Sequence, residues 1–503
     1  MWTRQDLHVG SGAVITTLPG SVLFVGSNVS VEKAASLTTI SDATHSGSFI
    51  VSGSTTGNIT YKRYIDDANW HLVSAPVTDQ SIPTFVGEAG NAVTQSETTS
   101  NYAVSYYNNT NAAGNRWTYH NTVDTAPENQ ETLTSFIAGQ GYSMKRTAAG
   151  DYTFTGAMAN ADVSFTIPTT GGSTHLWSAI GNPFPSFLAV NNAADAANLL
   201  VDNVTALDDS FAFLYVWNGA SYDPIGLSST ALQLAPGQAF MVKAKTDVET
   251  FIFKKALQNH NSGAATFYKS SASIPTISVH LTNGSANKSA NLEFLDSATT
   301  GLDVGYDAGA YQDGTPSFSI NTHLVSDSRG IDFTRQSLPR SSLDSEVAIP
   351  LSINAGMDEE VTFRVDTNNV PDGVSVYLED TLNNTFTNLT EAPLKIKITS
   401  ALSGIGRFYL RTSSGVLSTE TNLVGALINA YKTSNGTVKI TGLTSGSAAT
   451  FSLFTILGKE VLATKFIAQN VQEILVPTSL STGVYIVGVV SDLGTFHKKI
   501  VIE

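Results

Sequence analysis

The sequence has no cysteine among its 503 residues. Disulfide bonds, cysteine-ligated zinc and thiol chemistry are therefore excluded. A chain of this length does not depend on such cross-links, because large domains bury enough apolar surface to be stable without them. The length alone predicts about three or four domains.

Charge is also scarce, and positive charge most of all. Charged residues make up 14% of the chain, and 27 Lys and Arg stand against 42 Asp and Glu, which gives a net charge of −15. Binding to a nucleic-acid backbone needs clustered Lys and Arg, whereas this sequence has no basic run beyond isolated pairs such as Lys254-Lys255 and Lys498-Lys499. We therefore predict no nucleic-acid partner.

Long hydrophobic runs are missing as well. A membrane helix needs ~20 consecutive apolar residues, and the nearest approach, Gly483–Val490, reads as a β-strand. We predict no transmembrane segment. The first residues, Met1 to Asp6, also lack the apolar stretch of a signal peptide.

The residues that are abundant favour strands and turns. The chain has 40 Gly, 24 Phe and 17 Tyr, and 42% of its residues are apolar. Aromatic and β-branched residues favour strands, and Gly, Asn and Ser favour turns. We therefore predict an all-β, multidomain protein. A helix is expected only around 193–201, where Asn191 or Asn192 would cap an Ala-rich stretch.

Residues 1–65 contain short alternating runs such as Val22-Leu23-Phe24-Val25 and Val29-Ser30-Val31, most of them separated by turn residues. Strands this short and this closely spaced predict the end rungs of a β-solenoid, with a small sandwich as the alternative. A solenoid normally begins with a polar cap. Because none is present, we expect further sequence upstream of Met1.

Residues 66–269 contain an internal duplication. Trp70 opens the first copy, at about 66–168, and Trp177 opens the second, at about 169–269. Three further landmarks follow in the same order in each copy: an aromatic hairpin, a Gly-Gln turn and a strand of alternating aromatic residues. We predict two Trp-led β-modules built on one scaffold.

The remaining sequence predicts two further β domains. In residues 270–412, strands with period-two alternation are separated by long turns, which favours a two-sheet β-sandwich. Pro350 would confine its strand to a sheet edge or a bulge. A polar linker follows at 413–421, and residues 422–503 predict a small antiparallel β-sandwich.

Catalytic signatures are absent from the sequence. It has no nucleophile elbow, metalloprotease helix, phosphate loop or dinucleotide fingerprint, and its nine histidines are scattered. Adjacent carboxylates, as at Asp66-Asp67, Asp208-Asp209 and Glu359-Glu360, rarely face each other across a cleft as glycosidase acids do. We interpret His71 as a satisfied or solvent-facing side chain and predict a non-enzymatic protein.

Two candidate binding sites remain. Asp303 and Asp307 lie on a Gly-containing stretch and offer the oxygen ligands that Ca²⁺ prefers. The alternative is a turn in which these side chains bond their own backbone. No other cofactor is predicted.

The second candidate consists of the aromatic residues of the two hairpins. They are Tyr107, Trp117, Trp217 and Tyr222. Aromatic faces stack on sugar rings, so a repeated aromatic hairpin predicts a platform for a surface glycan. The alternative is that these rings fill the core of each module.

The end of the chain carries three motifs in order: Ile456–Val461, Leu480–Val487 and Lys498-Lys499-Ile500. Together they resemble the C-terminal sorting domains of type IX secretion cargo, over the whole of residues 422–503. The resemblance implies recognition by the secretion translocon. The residues that match the motifs are Leu457, Gly458, Lys459, Glu460, Val461, Gly483, Val484, Tyr485, Lys498, Lys499 and Ile500.

The resemblance carries further implications. Such cargo crosses the periplasm, is bound by the outer-membrane translocon, and is often processed by a surface sortase. It therefore implies an extracellular or cell-surface protein of a Gram-negative bacterium. Such cargo is also O-glycosylated at Asp-Ser/Thr triplets, which here contain Thr125, Ser297 and Thr381. The regions before the tail are similar to uncharacterised β-modules that often precede sorting domains, and this similarity implies no activity.

We therefore predict an exported, adhesin-like, non-enzymatic protein. One alternative is a carbohydrate-binding protein, or the accessory region of a larger secreted glycoside hydrolase whose catalytic domain lies upstream. The other is an intracellular β protein, for which deletion of residues 422–503 would leave the location unchanged.

Overall fold

The structure is a computed structural model. It describes residues 2–3, 5–122, 129–167, 175–219, 221–246, 248–261, 274–312, 314–345, 347–413, 428–433, 436–455, 459–469, 471–477, 480, 483–491 and 494–502. Its sheets confirm the predicted all-β class. The chain divides into two compact units, one of residues 1–270 with 302–315 and the other of residues 271–301 with 316–503. No helix among the described residues has the length and apolar character that crossing a membrane requires.

The first unit begins with stacked parallel rungs, as the short alternating runs predict. The strands are β1 (Trp2–Thr3), β2 (Leu7–Val9), β3 (Ile15–Thr17), β4 (Val22–Val25), β5 (Val29–Val31), β6 (Leu37–Ile40), β7 (Ser48–Val51), β8 (Thr55–Thr56) and β9 (Asn58–Ile65), with a 3-10 turn at Ala34–Ser36. They pair in parallel as β1-β4-β7, β2-β5-β8 and β3-β6-β9. Side chains that alternate into the stack, such as Val25 and Phe49, are fully buried.

A column of polar side chains fixes the register of the rungs at one corner. The Nδ2 atom of Asn28 donates to Asp6 Oδ1 at 3.1 Å, and Asn28 Oδ1 accepts the backbone N–H of Ser54 at 2.9 Å. The hydrogen bonds from Ser27 and Asn28 lower the pKa of the Asp6 carboxyl. One side chain of each rung therefore forms hydrogen bonds with the turn of the next rung.

The first module continues the core of the rungs. Its elements are β10 (Trp70–Val73), α1 (Ile82–Gly87), a 3-10 turn at Ala89–Asn91, β11 (Val104–Tyr107), β12 (Trp117–His120), β13 (Gln130–Glu131), β14 (Tyr142–Lys145), β15 (Gly150–Ala157) and β16 (Val163–Ile167). Strand β15 runs antiparallel to β9, the last rung. Phe85, Phe136 and Phe154 share one hydrophobic cluster with Val9 and Leu23, so the core is continuous across residue 65.

The second module is built around a separate cluster that includes Phe184, Phe240 and Phe251. Phe165 of β16 joins this cluster because β16 pairs with the strand Glu249–Phe253 of the second module. Its elements are β17 (Trp177–Gly181), β18 (Phe187–Ala189), α2 (Leu199–Asn203), β19 (Leu214–Trp217), β20 (Tyr222–Ile225), β21 (Gln233–Leu234), β22 (Ala239–Lys243), β23 (Glu249–Phe253) and β24 (Gln258–Asn259), with 3-10 turns at Val204–Ala206 and Lys255–Leu257.

The two modules share one strand order. The first forms the sheet β10-β14-β11-β12-β13 and the second the sheet β17-β22-β19-β20. The Trp-led strand, the strand after the Gly-Gln turn and the two hairpin strands thus follow one another identically across both sheets. A common origin by duplication stays an interpretation, and this shared order agrees with it.

The second unit begins with a sheet of ten strands. They are β25 (Thr276–Thr282), β26 (Asn287–Leu295) and, after β27 (Ala308–Gly309) of the first unit, β28 (Ser319–Thr322), β29 (Phe333–Pro339), β30 (Ile349–Ala355), β31 (Glu360–Asn368), β32 (Ser375–Asp380), β33 (Thr385–Asn388), β34 (Leu394–Lys397) and β35 (Leu402–Ser413), with a 3-10 turn at Arg340–Leu343. Their order is β33-β32-β35-β30-β28-β29-β26-β25-β31-β34. One continuous sheet around a single core replaces the two separate sheets expected for this region.

The C-terminal region is a small antiparallel sandwich, as predicted. Its strands are β36 (Asn429–Lys432), β37 (Thr437–Thr441), β38 (Ala448–Thr455), β39 (Glu460–Ile467), β40 (Val471–Leu475), β41 (Gly483–Ser491) and β42 (Gly494–Ile502). The sheets β36-β37-β40 and β39-β38-β41-β42 enclose a core that includes Val438, Ile440, Phe451, Leu453 and Val487. The predicted linker, 413–421, lies outside the described residues except for Ser413.

Candidate functional site

The first unit contains a pocket of about 300 Å³ whose wall is mostly aromatic, and we call it the aromatic pocket. Six rings line it: Trp70, Trp117, Tyr119, Trp217, Tyr222 and Tyr311. His71, Leu72 and Ser143 complete the lining. Three of the four aromatic residues that the sequence singles out therefore meet in one cavity.

Strand register explains how the hairpin rings come together. Trp217 pairs with Tyr222 across β19 and β20, and their ring centroids are 5.0 Å apart. Tyr107 pairs with Trp117 across β11 and β12 in the same way, with centroids 5.1 Å apart. Residues directly opposite each other on antiparallel strands face the same side of the sheet. Each hairpin therefore presents one pair of aromatic residues.

Tyr311 belongs to the same wall, and the sequence gives no indication of it. It lies in the 302–315 segment of the first unit, and its ring centroid is 4.6 Å from that of Tyr222 and 4.7 Å from that of Trp177. Neither strand periodicity nor the duplicated landmarks includes this residue. Only the three-dimensional fold brings it to the hairpins.

The aromatic pocket is held in shape by a contact between the two modules. The indole Nε1 of Trp217 donates to the carbonyl oxygen of Trp70 at 3.0 Å. Tyr107 lies behind the wall, is only 4% exposed, and approaches the hydroxyl of Tyr311 at 3.5 Å. Tyr107 thus fits the core-filling alternative, whereas the half-buried Trp117 and Trp217 face the cavity.

Burial favours the uncharged forms of His175, Tyr107 and Tyr222, which lie in or beside the pocket wall. The hydroxyl of Tyr107 lies 2.6 Å from His175 Nε2. Burial, followed by the charges of Arg116 and Lys243, lowers the pKa of His175 to about 4. Burial also raises the pKa of Tyr107 and of Tyr222. The wall therefore offers neutral rings and a few fixed polar groups.

This arrangement suits the binding of a ring-shaped ligand with little charge. Pockets of this kind gain affinity from apolar contact and orient the ligand through a few polar groups. Tyr and Trp supply both an apolar face and a polar handle. His71 is held in place because its Nε2 lies 2.8 Å from Asp67 Oδ1.

The predicted calcium ligands lie together on one turn. The backbone N–H of Asp303 donates to Asp307 Oδ2 at 2.6 Å, and Asp307 is fully buried. This geometry agrees with the alternative of a turn stabilised by its own Asp side chain. Calcium binding by this pair stays a prediction.

A different group of residues has the spacing of metal ligands. Among the described residues, Asp66, Asp67 and His71 form the one group of three whose ligand atoms lie within 4.8 Å of one another. Asp67 already accepts hydrogen bonds from the backbone and side chain of Asn69, in addition to its contact with His71. Asp67 and His71 are therefore satisfied by hydrogen bonds without a metal ion.

The three glycosylation candidates differ in their surroundings. Thr125 lies outside the described residues, and Ser297 is exposed on a turn. Thr381 is 7% exposed, and its hydroxyl donates to the carbonyl oxygens of Gly406 and Arg407 at 3.1 and 3.0 Å. Accessibility in the folded protein thus favours Ser297.

The first motif of the tail is partly described. Leu457 and Gly458 lie outside the described residues. Lys459 and Glu460 are exposed at the start of β39, and Val461 packs against the core of the sandwich.

The other motif residues lie on the terminal hairpin of β41 and β42. Gly483 and Val484 begin β41, followed by the buried Tyr485. The two lysines point in opposite directions. Lys498 Nζ donates to Asn429 Oδ1 at 2.6 Å, whereas Lys499 is exposed. Ile500 returns to the core.

Comparison with protein families gives two matches that together cover most of the chain. Residues 433–503 match the family described as "Secretion system C-terminal sorting domain". Residues 3–411 match the family described as "Domain of unknown function (DUF8693)". The chain belongs to the DUF8693 family. No curated protein matches it.

The sorting domain defines the destination of this DUF8693 protein. It is a type IX secretion cargo protein, exported to the extracellular space or the cell surface of a Gram-negative bacterium. The predicted resemblance and localisation are confirmed, and the intracellular alternative is not. A sorting tail also implies interaction with the type IX secretion machinery.

Proposed function

We propose that this DUF8693 protein acts at the cell surface as an adhesin-like, non-enzymatic protein that binds carbohydrate in the aromatic pocket. The supporting observation is the convergence of six aromatic rings from both modules and from Tyr311 on one cavity. Sugar rings have apolar C–H faces that pack on aromatic side chains, while their hydroxyls bond to polar groups nearby.

Binding fits the pocket better than hydrolysis does. Glycosidases place two carboxyl groups on either side of the bond they cleave. No Asp or Glu is among the described residues that line the aromatic pocket. The pocket residues can hold a sugar but supply no acid pair, so we assign them a binding role.

The volume of the pocket and the net charge of the protein restrict the class of glycan that we expect to bind. A volume of about 300 Å³ is at the lower limit of ordinary ligand pockets, so we expect one or two sugar units of a longer glycan to be held. The net charge of −15 repels anionic polymers. Neutral glycans are therefore the proposed class.

A glycan array probed with the purified protein tests this proposal. We expect binding to a subset of neutral glycans, and loss of at least tenfold in affinity for Trp217→Ala, because the variant removes a wall ring and its bond to Trp70. Trp217→Phe should retain part of the binding. Phe386→Ala, at an exposed aromatic residue of the second unit, is the matched control and should bind normally. Binding unaffected by Trp217→Ala, or no binding to any glycan, would contradict the proposal.

We further propose that a surface sortase processes the tail, on the strength of the resemblance to type IX cargo. Mass spectrometry of the protein recovered from the surface of its host tests this. The expected result is loss of residues 433–503 from the mature protein. Recovery of the intact C-terminus would contradict it.

A further inference from the structure

The four-stranded sheet of the sorting domain carries an apolar patch on its outer side. Cross-strand register aligns Phe454 with Ile486 and Ile486 with Lys499, and it aligns Val484 with Val501. These side chains point away from the core, which is formed by their sequence neighbours such as Leu453 and Tyr485. We call this surface, with Val490 and Ile467 at its border, the outer face.

The exposure of these apolar side chains is unusual for a sandwich. Ile467 is 64% exposed, Val490 51% and Val501 46%. The solvent side of an antiparallel sheet is normally polar, and contiguous exposed apolar surface marks an interaction site. Strand β41 therefore carries apolar side chains on both sides, whereas the outward side of β42 combines Val501 with His497 and Lys499.

A glycine at the centre of the outer face leaves room for two neighbouring rings. Gly488 lies between the rings of Phe454 and His497, and a Cβ atom there would be 3.3 Å from an atom of each ring. The glycine lets both rings lie against the backbone of β41. No side chain therefore projects from the centre of the outer face at Gly488.

The charges around the outer face distinguish it from the rest of the chain. Residues 433–503 hold five Lys and four Asp or Glu, whereas residues 1–432 hold 22 Lys and Arg and 38 Asp and Glu. Two exposed lysines, Lys465 and Lys499, border the apolar residues, and one exposed carboxylate, Glu460, lies opposite Phe454. A complementary partner therefore has an apolar surface with an acidic rim.

We propose that the type IX secretion machinery docks on the outer face, through an apolar surface with acidic residues at its border. The family match places this face within the domain that directs secretion, and the apolar patch and its lysines supply the contacts. The two terminal lysines then have different roles. Lys499 contacts the partner, and Lys498 positions β42 through Asn429.

A secretion assay with the full chain behind a periplasmic leader tests this proposal in a host that carries the machinery. The test variant is Val490→Asp/Val501→Asp, and the control is Leu475→Asp. Leu475 is 73% exposed but lies on β40 of the other sheet. We expect the secreted fraction of the test variant to fall at least tenfold, with accumulation in the periplasm, and the control to be secreted normally.

A second variant distinguishes loss of docking from misfolding of the sorting domain. Lys499→Glu changes an exposed side chain, and we expect it to reduce secretion at least threefold with an unchanged melting temperature. Normal secretion of both variants would overturn the proposal, and so would equal failure of Leu475→Asp. A change in oligomeric state without a change in secretion would instead assign the outer face to contacts between copies, which also overturns it.

Discussion

Removing Arg407 should destabilise the second unit and leave the first unchanged. Arg407 Nε and Nη2 donate to the two carboxylate oxygens of Asp380 at 2.9 and 2.8 Å, and the two side chains are 12% and 4% exposed. Breaking a buried pair by deleting one partner costs ~3–5 kcal/mol, because the other charge stays buried. Asp380 keeps donors from Leu382 and Asn383, so we expect the lower value.

The expected shift in melting temperature follows from the size of the unit. For a unit of 150–250 residues, each kcal/mol corresponds to about 2–4 °C, so Arg407→Met should melt about 6–12 °C earlier. All five tryptophans of the sequence lie at or before Trp217, within the first unit. Tryptophan fluorescence therefore follows the first unit alone, while circular dichroism follows both.

Two further variants serve as controls for the melting temperature of Arg407→Met. The pair of Arg364 and Asp366 is exposed, and surface pairs contribute little, so Arg364→Met should shift the melting temperature by no more than about 2 °C. The double variant Arg407→Met/Asp380→Leu removes both charges and should recover most of the loss. If Arg407→Met melts like Arg364→Met, the reasoning is refuted.

Three further predictions concern single sites. Gly57→Ala should destabilise the first unit, measured by tryptophan fluorescence, because Gly57 has φ +80° and a Cβ atom would lie 1.9 Å from the carbonyl oxygen of Val31; we expect a loss of roughly 3 kcal/mol or more. The stability of the first unit should fall as the pH drops from about 6.5 to about 4, because burial lowers the pKa of His175 and the unfolded chain then binds more protons; His175→Gln should flatten this dependence. Mass spectrometry of protein from the natural host should find a glycan on Ser297 and none on Thr381, whose hydroxyl is buried.

Each of these predictions has a control. Gly12→Ala should be neutral, because no atom lies within 4 Å of the added Cβ, and equal effects at both glycines would contradict the steric argument. A pH profile that His175→Gln leaves unchanged would assign the titration to other buried histidines. Modification of Thr381 at full occupancy would show that the glycan is attached before folding.

The rungs and the tail were predictable because their patterns are local. Alternation with period two fixes which side chains of β4 or β41 are buried, and turn residues mark the ends of each strand. The predicted strand Gly483–Val490 differs from the observed β41 by one residue. Strand β36, in contrast, was not predicted, because Asn429–Lys432 is too short and too polar to stand out.

Predictions from local sequence patterns were incomplete where contacts between distant segments determine the structure. Helix α2 is shorter than expected and is capped by Asn198, whose side chain accepts the N–H of Val201, rather than by Asn191 or Asn192. Of the two positions expected for Pro350, the sheet edge is wrong because β30 is an interior strand, and the bulge agrees with the register shift between Leu351 and Ile353. Tyr311 joins the aromatic pocket from a segment with no repeat or periodicity. Such contacts between distant segments leave no pattern in the sequence.

The antiparallel strand β15 prevents strands of other molecules from pairing with one end of the parallel stack. A stack of parallel rungs ends in unpaired backbone groups, which can template the addition of strands from other molecules. Strand β15 occupies these groups along β9, and the N–H of Phe49 on β7 donates to the carbonyl of Pro185 at 2.7 Å. The protein thereby removes a nucleus for fibrous polymerisation at the end of its own stack.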